Sequence, residues 1–76
     1  MRVSIIPIDG VVVLDGVAKN KLDLSFMSDV HAVQWYDTWG EVERYDGVTK
    51  LPNERIESIA PYQAAIDAWN AAPSGE

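Results

Sequence analysis

The residues able to do chemistry in this chain are few. It has one histidine and no cysteine. His31 is the only general base of the common kind, and Ser25, Ser28 and Asp29 stand near it in sequence. A catalytic hydroxyl needs a base within reach and a third group to orient that base. Neither serine lies in a Gly-x-Ser-x-Gly turn, and nearness along the chain is not geometry. His31 is therefore expected at a strand end, partly packed against a neighbour. Asp9, Asp15, Asp23, Asp29, Asp37 and Asp46 could offer oxygen ligands to Ca²⁺ or Mg²⁺. A calcium loop needs such ligands at alternate positions within about a dozen residues, and no such run occurs. These aspartates are better explained as turn formers, because the side chain bonds its own backbone two residues on. The lack of cysteine excludes disulfides and thiolate zinc, and a single histidine excludes a multi-histidine site within one chain. No glycine-rich phosphate loop is present. No catalytic residue, cofactor or metal is expected, and the chain is not expected to be an enzyme.

Binding residues are easier to nominate. Trp35, Tyr36 and Trp39 concentrate aromatic surface in five positions. Trp35 is expected in the core. Trp39 falls at an expected loop tip, where it would either anchor a partner or fold back over its own sheet. The interface candidates are Trp39, Tyr36, Glu41, Glu43 and Tyr45. A second handle is an open sheet edge, which can pair with another chain by strand addition. The strand over residues 3–8 or the one over 41–45 is expected to provide it. The alternating charges of Glu41, Glu43 and Arg44 would instead discourage such pairing.

The elements that must position these residues follow from local pattern. Residues 3–8 are β-branched and apolar, with Pro7 marking an edge or a strand end. Asp9-Gly10 between this run and Val11-Val12-Val13-Leu14 is the best hairpin signal. Asp15-Gly16 either ends the second strand or turns into a short continuation at Val17-Ala18-Lys19. Residues 21–28 show no clean period. Leu22, Leu24 and Phe26 could plug the core there, while Asp23, Ser25 and Ser28 suit a 3₁₀ turn. Residues 30–37 form the central strand, and alternation places Val33 and Trp35 on one face with His31. Thr38-Trp39-Gly40 is a three-residue loop with Gly40 in the left-handed position. The strand 41–45 returns antiparallel to the turn pair Asp46-Gly47, and residues 55–59 offer a short edge strand. Pro61 opens a helix on which Tyr62, Ala65, Ile66 and Trp69 share one face, and Pro73 ends it. At about 12 residues it is too short to stand alone, so the face bearing Trp69 must dock, most simply on the sheet face carrying Val33 and Trp35. The expected fold class is α+β: a small antiparallel sheet of about four strands, with hairpins at Asp9-Gly10 and Thr38-Trp39-Gly40 and one C-terminal amphipathic helix packed on one face. One domain over residues 1–72 and a disordered tail at 73–76 complete it.

Size and charge narrow the partners. A 76-residue chain allows one domain with a marginal core, of the kind often completed by a partner subunit. Hydrophobic residues make up 47% and charged residues 24%, which suits a folded globular chain. The net charge of −6 disfavours phosphate backbones, so no nucleic acid is expected. No apolar run approaches the roughly 20 residues of a membrane span, so no membrane partner is expected. The start of the chain lacks the apolar length of a secretory signal and is expected to be the first strand of the mature fold, with cytosolic synthesis as the default.

Several runs together resemble a known group. They are Ile6-Pro7-x-Asp9-Gly10-x-Val12-x-x-Asp15-Gly16, Leu22-Asp23-Leu24-Ser25, Asp29-Val30-His31-Ala32-Val33-Gln34-Trp35-Tyr36, Gly40-Glu41-Val42-Glu43, Asn53-Glu54-x-Ile56, Pro61-Tyr62-Gln63 and Ala68-Trp69-x-Ala71. They resemble small proteins encoded in the tail-module gene clusters of tailed phages and prophages, some labelled tail fibre assembly proteins or tail assembly chaperones. The resemblance covers residues 3–72, and the run from Asp29 to Tyr36 is its most specific part. It implies a tail or fibre structural component, or a tail fibre assembly chaperone. The partner would be a phage tail or tail-fibre protein, or a second copy in a homo-oligomer, met in the host cytoplasm during assembly or in the virion tail. It carries over no catalytic residues. A different class of function is a small phage effector that binds and modulates a host protein, to which strong acidity would be suited.

Overall fold

The computed structural model describes residues 1–27, 29–44, 49 and 51–72. The apolar runs form strands whose pairing places every inward side chain on one side of one sheet. The strands are β1 (Arg2–Ile6), β2 (Val11–Leu14), β3 (Val17–Lys19), β4 (Val30–Tyr36), β5 (Gly40–Arg44) and β6 (Glu54–Ile56). All pairings are antiparallel, in the spatial order β3-β2-β1-β4-β5-β6. The helix α1 (Gln63–Ala71) follows a 3₁₀ turn, Ala60–Tyr62, that carries Pro61. The α+β class with one C-terminal helix is as expected, but the sheet has six strands rather than four. The strands beyond that count are β3, at the short continuation over 17–19, and β6, which overlaps the short edge strand offered over 55–59 but starts at Glu54; each has three residues, too few to show a period.

The turns explain the register. Between β1 and β2 the chain makes a 3₁₀ turn, Pro7–Asp9, and Gly10 closes it in the left-handed conformation with φ 63°. A side chain at Gly10 would meet the Leu22 carbonyl oxygen at 2.7 Å. Asp15 and Gly16, with φ of 48° and 86°, are the two central residues of a tight turn into β3. Positive φ at both is the pattern of a type I′ hairpin. The hairpin between β4 and β5 departs from expectation. Asp37, not Gly40, takes the left-handed conformation, with φ 86°. Gly40 serves a different need, because a Cβ there would lie 2.4 Å from the Gln34 carbonyl oxygen and 3.0 Å from the Trp35 ring.

Among the described residues the core lies on one face of the sheet. Val3 and Ile5 of β1, Val12 of β2, Val33 and Trp35 of β4 and Val42 of β5 point to it and are buried. Two pieces cover them. One is the stretch between β3 and β4, which supplies Leu24 and Met27, with Leu22 partly buried beside them. The other is α1 with its preceding turn, which supplies Tyr62, Ala65 and Ile66. Phe26, expected to plug the core, is 54% exposed, and Met27 is buried in its place. In a 3₁₀ turn neighbouring residues point in different directions, so a shift of one position exchanges them. Asp23 caps this turn, accepting bonds from the Ser25 backbone N–H at 3.2 Å and hydroxyl at 2.8 Å. Those bonds hold the Asp23 carboxyl below its ordinary value.

His31 is exposed rather than inward with Val33. The register slips between Val30 and Ala32, a bulge that turns Val30 into the core and His31 out. The helix is nine residues and docks chiefly against β2, not over Val33 and Trp35. Trp69 is anchored at the β3 side instead: its indole N–H donates to the Val17 carbonyl at 2.9 Å, and Lys19 Nζ lies 4.0 Å from its ring centroid. Lys19 also donates to the carbonyls of Trp69 and Ala72, both at 2.8 Å, and so caps the negative end of the helix.

The edges also differ from expectation. β1 is interior, between β2 and β4, and β5 is covered by β6. Pro7 stands just past the end of β1, so its missing donor costs the ladder nothing. The edge strands are β3 and β6, both short, which limits strand addition. The expected turn at Asp46-Gly47 and the tail at 73–76 lie outside the described residues.

Candidate protein-binding face

Because α1 and the β3–β4 crossing stretch lie on the same side, no element among the described residues covers the other side of the sheet. Register shows what it presents. Arg2 and Ser4 of β1 stand opposite Tyr36 and Gln34 of β4. Gln34 and Ala32 stand opposite Glu41 and Glu43 of β5, and Glu41 stands opposite Arg55 of β6. Val13 of β2 is on this side opposite Ser4. Strand alternation puts all of these on the open face, since Val3, Val33, Trp35 and Val42 point the other way.

At one end of the face four side chains form a row: Arg2 of β1, Tyr36 of β4, Trp39 of the β4–β5 turn and Arg55 of β6. The Arg2 guanidinium carbon lies 5.6 Å from the Tyr36 ring centroid. The Tyr36 and Trp39 rings are 4.8 Å apart, tilted by 44°. The Arg55 guanidinium carbon lies 4.5 Å from the Trp39 centroid. The tight β4–β5 turn brings the two rings together: the Tyr36 N–H donates to the Trp39 carbonyl at 2.7 Å, so the residues face each other across the hairpin. Trp39 therefore folds back onto its own sheet and is half-buried, as is Tyr36. Cation–aromatic contacts of this kind contribute about 0.5–1 kcal/mol each when exposed. Their larger effect here is to hold long side chains in place.

Polar contacts fix the surroundings. Ser4 Oγ donates to Gln34 Oε1 at 2.6 Å in the middle of the face. The Arg2 backbone N–H donates to Asp15 Oδ1 at 2.8 Å. Beside this bond a shallow hollow is lined by Arg2, Ser4, Val13, Asp15 and Gly16. Asn53 Nδ2 stands 3.5 Å from Glu41 Oε2, and Arg55 Nη2 stands 3.5 Å from Glu57 Oε1. Above the row, the Met1 ammonium bonds Asp37 Oδ1 at 2.6 Å. That bond raises the ammonium above its ordinary 8.0 and lowers the Asp37 carboxyl below 3.8. Arg44 belongs to the opposite side, where it pairs with Glu54 at 2.7 Å and bonds the Tyr62 hydroxyl at 3.2 Å.

Of the five interface candidates, Tyr36, Trp39, Glu41 and Glu43 share the open face, and Tyr45 lies outside the described residues. Arg2 and Arg55 were not among them. Nothing local marks them, because their relation to the rings exists only once β1 pairs with β4 and β6 with β5. Among the described residues, no group of three or more His, Asp or Glu side chains is placed to hold a metal ion, and no helix is long and apolar enough to cross a membrane. Comparison with models of protein families, with curated proteins and with solved structures finds no match in any of the three.

Proposed function

We propose that this chain is a bacteriophage tail-associated protein that acts by non-covalent binding of another protein, through the open face of its sheet. The observation that carries the binding role is the row Arg2, Tyr36, Trp39 and Arg55 on a sheet face that no described element covers. A face rich in aromatic and arginine side chains has the composition of an interface centre, where Trp, Tyr and Arg dominate binding energy. The rings are fixed by their neighbours, so little side-chain freedom remains to be lost on binding. The tail setting rests on the resemblance of the runs quoted above, centred on Asp29 to Tyr36. Within it the protein serves as a tail or fibre component or as an assembly chaperone for a fibre protein.

The test is co-expression with the products of the neighbouring genes, among which the proposal expects a tail-fibre protein, followed by native purification. A stoichiometric complex that Trp39→Ala abolishes, with the variant still folded by circular dichroism, supports the proposal. A complex that Trp39→Ala and Arg55→Ala leave intact removes the open face from the function. Recovery of one stoichiometric host protein in place of the fibre protein would make the chain an effector. Presence in purified virions would separate a structural component from a chaperone.

A further inference from the structure

The row on the open face is an array of donors. Among the described residues, the Arg2 guanidinium has no hydrogen-bond or ion-pair partner beyond the Tyr36 ring it covers. The Tyr36 hydroxyl and the Trp39 indole N–H have none either. Arg55 has only an exposed contact to Glu57 at 3.5 Å. Two planar cations, held against rings and open to solvent, flank an aromatic pair. Guanidinium groups fixed in this way suit carboxylates, which they bind through paired N–H donors.

The spacing defines the ligand further. Arg2 is level with Tyr36, and Arg55 stands two residues further along the strands, opposite Glu41. The steps from the Arg2 guanidinium to the Tyr36 ring, to the Trp39 ring and to the Arg55 guanidinium are 5.6, 4.8 and 4.5 Å, so the two guanidinium groups lie no more than about 15 Å apart. An extended peptide places residues i and i+4 about 13 Å apart, pointing to the same side, with residue i+2 between them.

Building on the open-face proposal above, we infer that the partner presents an extended segment of the form acidic–x–apolar–x–acidic. It lies across β1, β4, the β4–β5 turn and β6, with its two carboxylates on Arg2 and Arg55 and its central apolar side chain on the Tyr36–Trp39 pair. The partner's acidity is local and is read at short range. At physiological salt the screening length is about 8 Å, so the net charge of −6 does not prevent it.

The experiment is an NMR and tryptophan-fluorescence titration of the full chain with the peptide acetyl-Gly-Glu-Ala-Phe-Ala-Glu-Gly-amide, against the same peptide with both Glu replaced by Gln or by Lys. The Glu peptide is expected to shift the amide and side-chain signals of Arg2, Tyr36, Trp39 and Arg55. The Gln peptide is expected to bind at least about tenfold more weakly, and the Lys peptide weaker still. Arg2→Gln and Arg55→Gln, both at exposed positions and so not expected to unfold the chain, should each reduce the preference for Glu over Gln several-fold. Equal affinity for the Glu and Gln peptides, shifts that map to α1, or no shift at about 1 mM peptide would overturn the acidic-segment inference. If co-purification with the fibre protein still depends on Trp39 in that case, the open-face proposal stands and only the ligand class fails.

Discussion

Replacing Gly40 with alanine tests whether the hairpin that carries Trp39 is held by space or by backbone conformation. Gly40 has no positive φ, so alanine costs nothing there on conformational grounds. The obstacle is contact. The added Cβ would lie 2.4 Å from the Gln34 carbonyl oxygen, 3.0 Å from Trp35 Cα and 3.0 Å from the Trp35 ring. Two of these three atoms are backbone, so β4 and β5 must move apart for the methyl to fit. Overpacking of this kind costs about 1–3 kcal/mol, and the closeness to backbone puts Gly40→Ala at the upper end, about 3 kcal/mol. A domain of this length has about 4–11 kcal/mol of stability in all. In urea, with a slope near 1 kcal/mol per molar, the midpoint should fall by about 2–3 M. The assay is urea unfolding followed by tryptophan fluorescence. Gly16→Ala is the control, because nothing lies within 4 Å of its Cβ and only its φ of 86° opposes alanine. It should lose about 1 kcal/mol. If Gly40→Ala stays within about 0.5 kcal/mol of the parent chain, or loses less than Gly16→Ala, the close-approach argument is wrong.

Further perturbations probe other parts of the scaffold. Lys19→Met keeps the aliphatic stem but removes the two bonds to the Trp69 and Ala72 carbonyls and the charge over the Trp69 ring; about 1–2 kcal/mol should be lost, with amide exchange rising first in the last turn of α1. Ile5→Ala, at a fully buried site in the central strand β1, should cost about 2–5 kcal/mol, a large part of the total, and chemical denaturation will measure it. The contact of the Met1 ammonium with Asp37 sets a pH window. Asp37 has its carboxyl lowered from 3.8 by that bond, so its contribution is present above 3.8 and lost as pH falls through the lower folded value. The ammonium is raised from 8.0, so its contribution is complete below 8.0 and lost as pH rises through the higher folded value. Amino-terminal acetylation should return the Asp37 titration, followed by NMR, toward 3.8; an unchanged titration would show that the ammonium is not the cause.

The parts of the fold legible in the sequence were those set by neighbours along the chain. Asp15-Gly16 turns as its residue types dictate, Asp23 caps Ser25, and Tyr62, Ala65 and Ile66 share a buried helix face. What escaped was set by pairing between distant strands. The β1–β4 pairing joins residues about thirty positions apart, and it alone makes β1 interior and leaves β3 and β6 as edges. The bulge at His31 reverses alternation at one end of β4, and no local residue type announces it. The candidate surface followed the same rule. Tyr36 and Trp39 were visible as an aromatic cluster, whereas Arg2 and Arg55 join them only through the assembled register. Among the described residues, one helix and one crossing stretch lie on the same side of the sheet, and no described element covers the other.

The central claim is that the protein works through that uncovered face. Amide exchange measured on the chain alone and in complex with its co-purified partner tests it most directly. The account predicts new protection at the Asp37–Gly40 turn, at β6 and at Arg2, with α1 unchanged. Protection confined to α1 and the Ser25–Met27 turn, with the row Arg2, Tyr36, Trp39 and Arg55 unaffected, would contradict it.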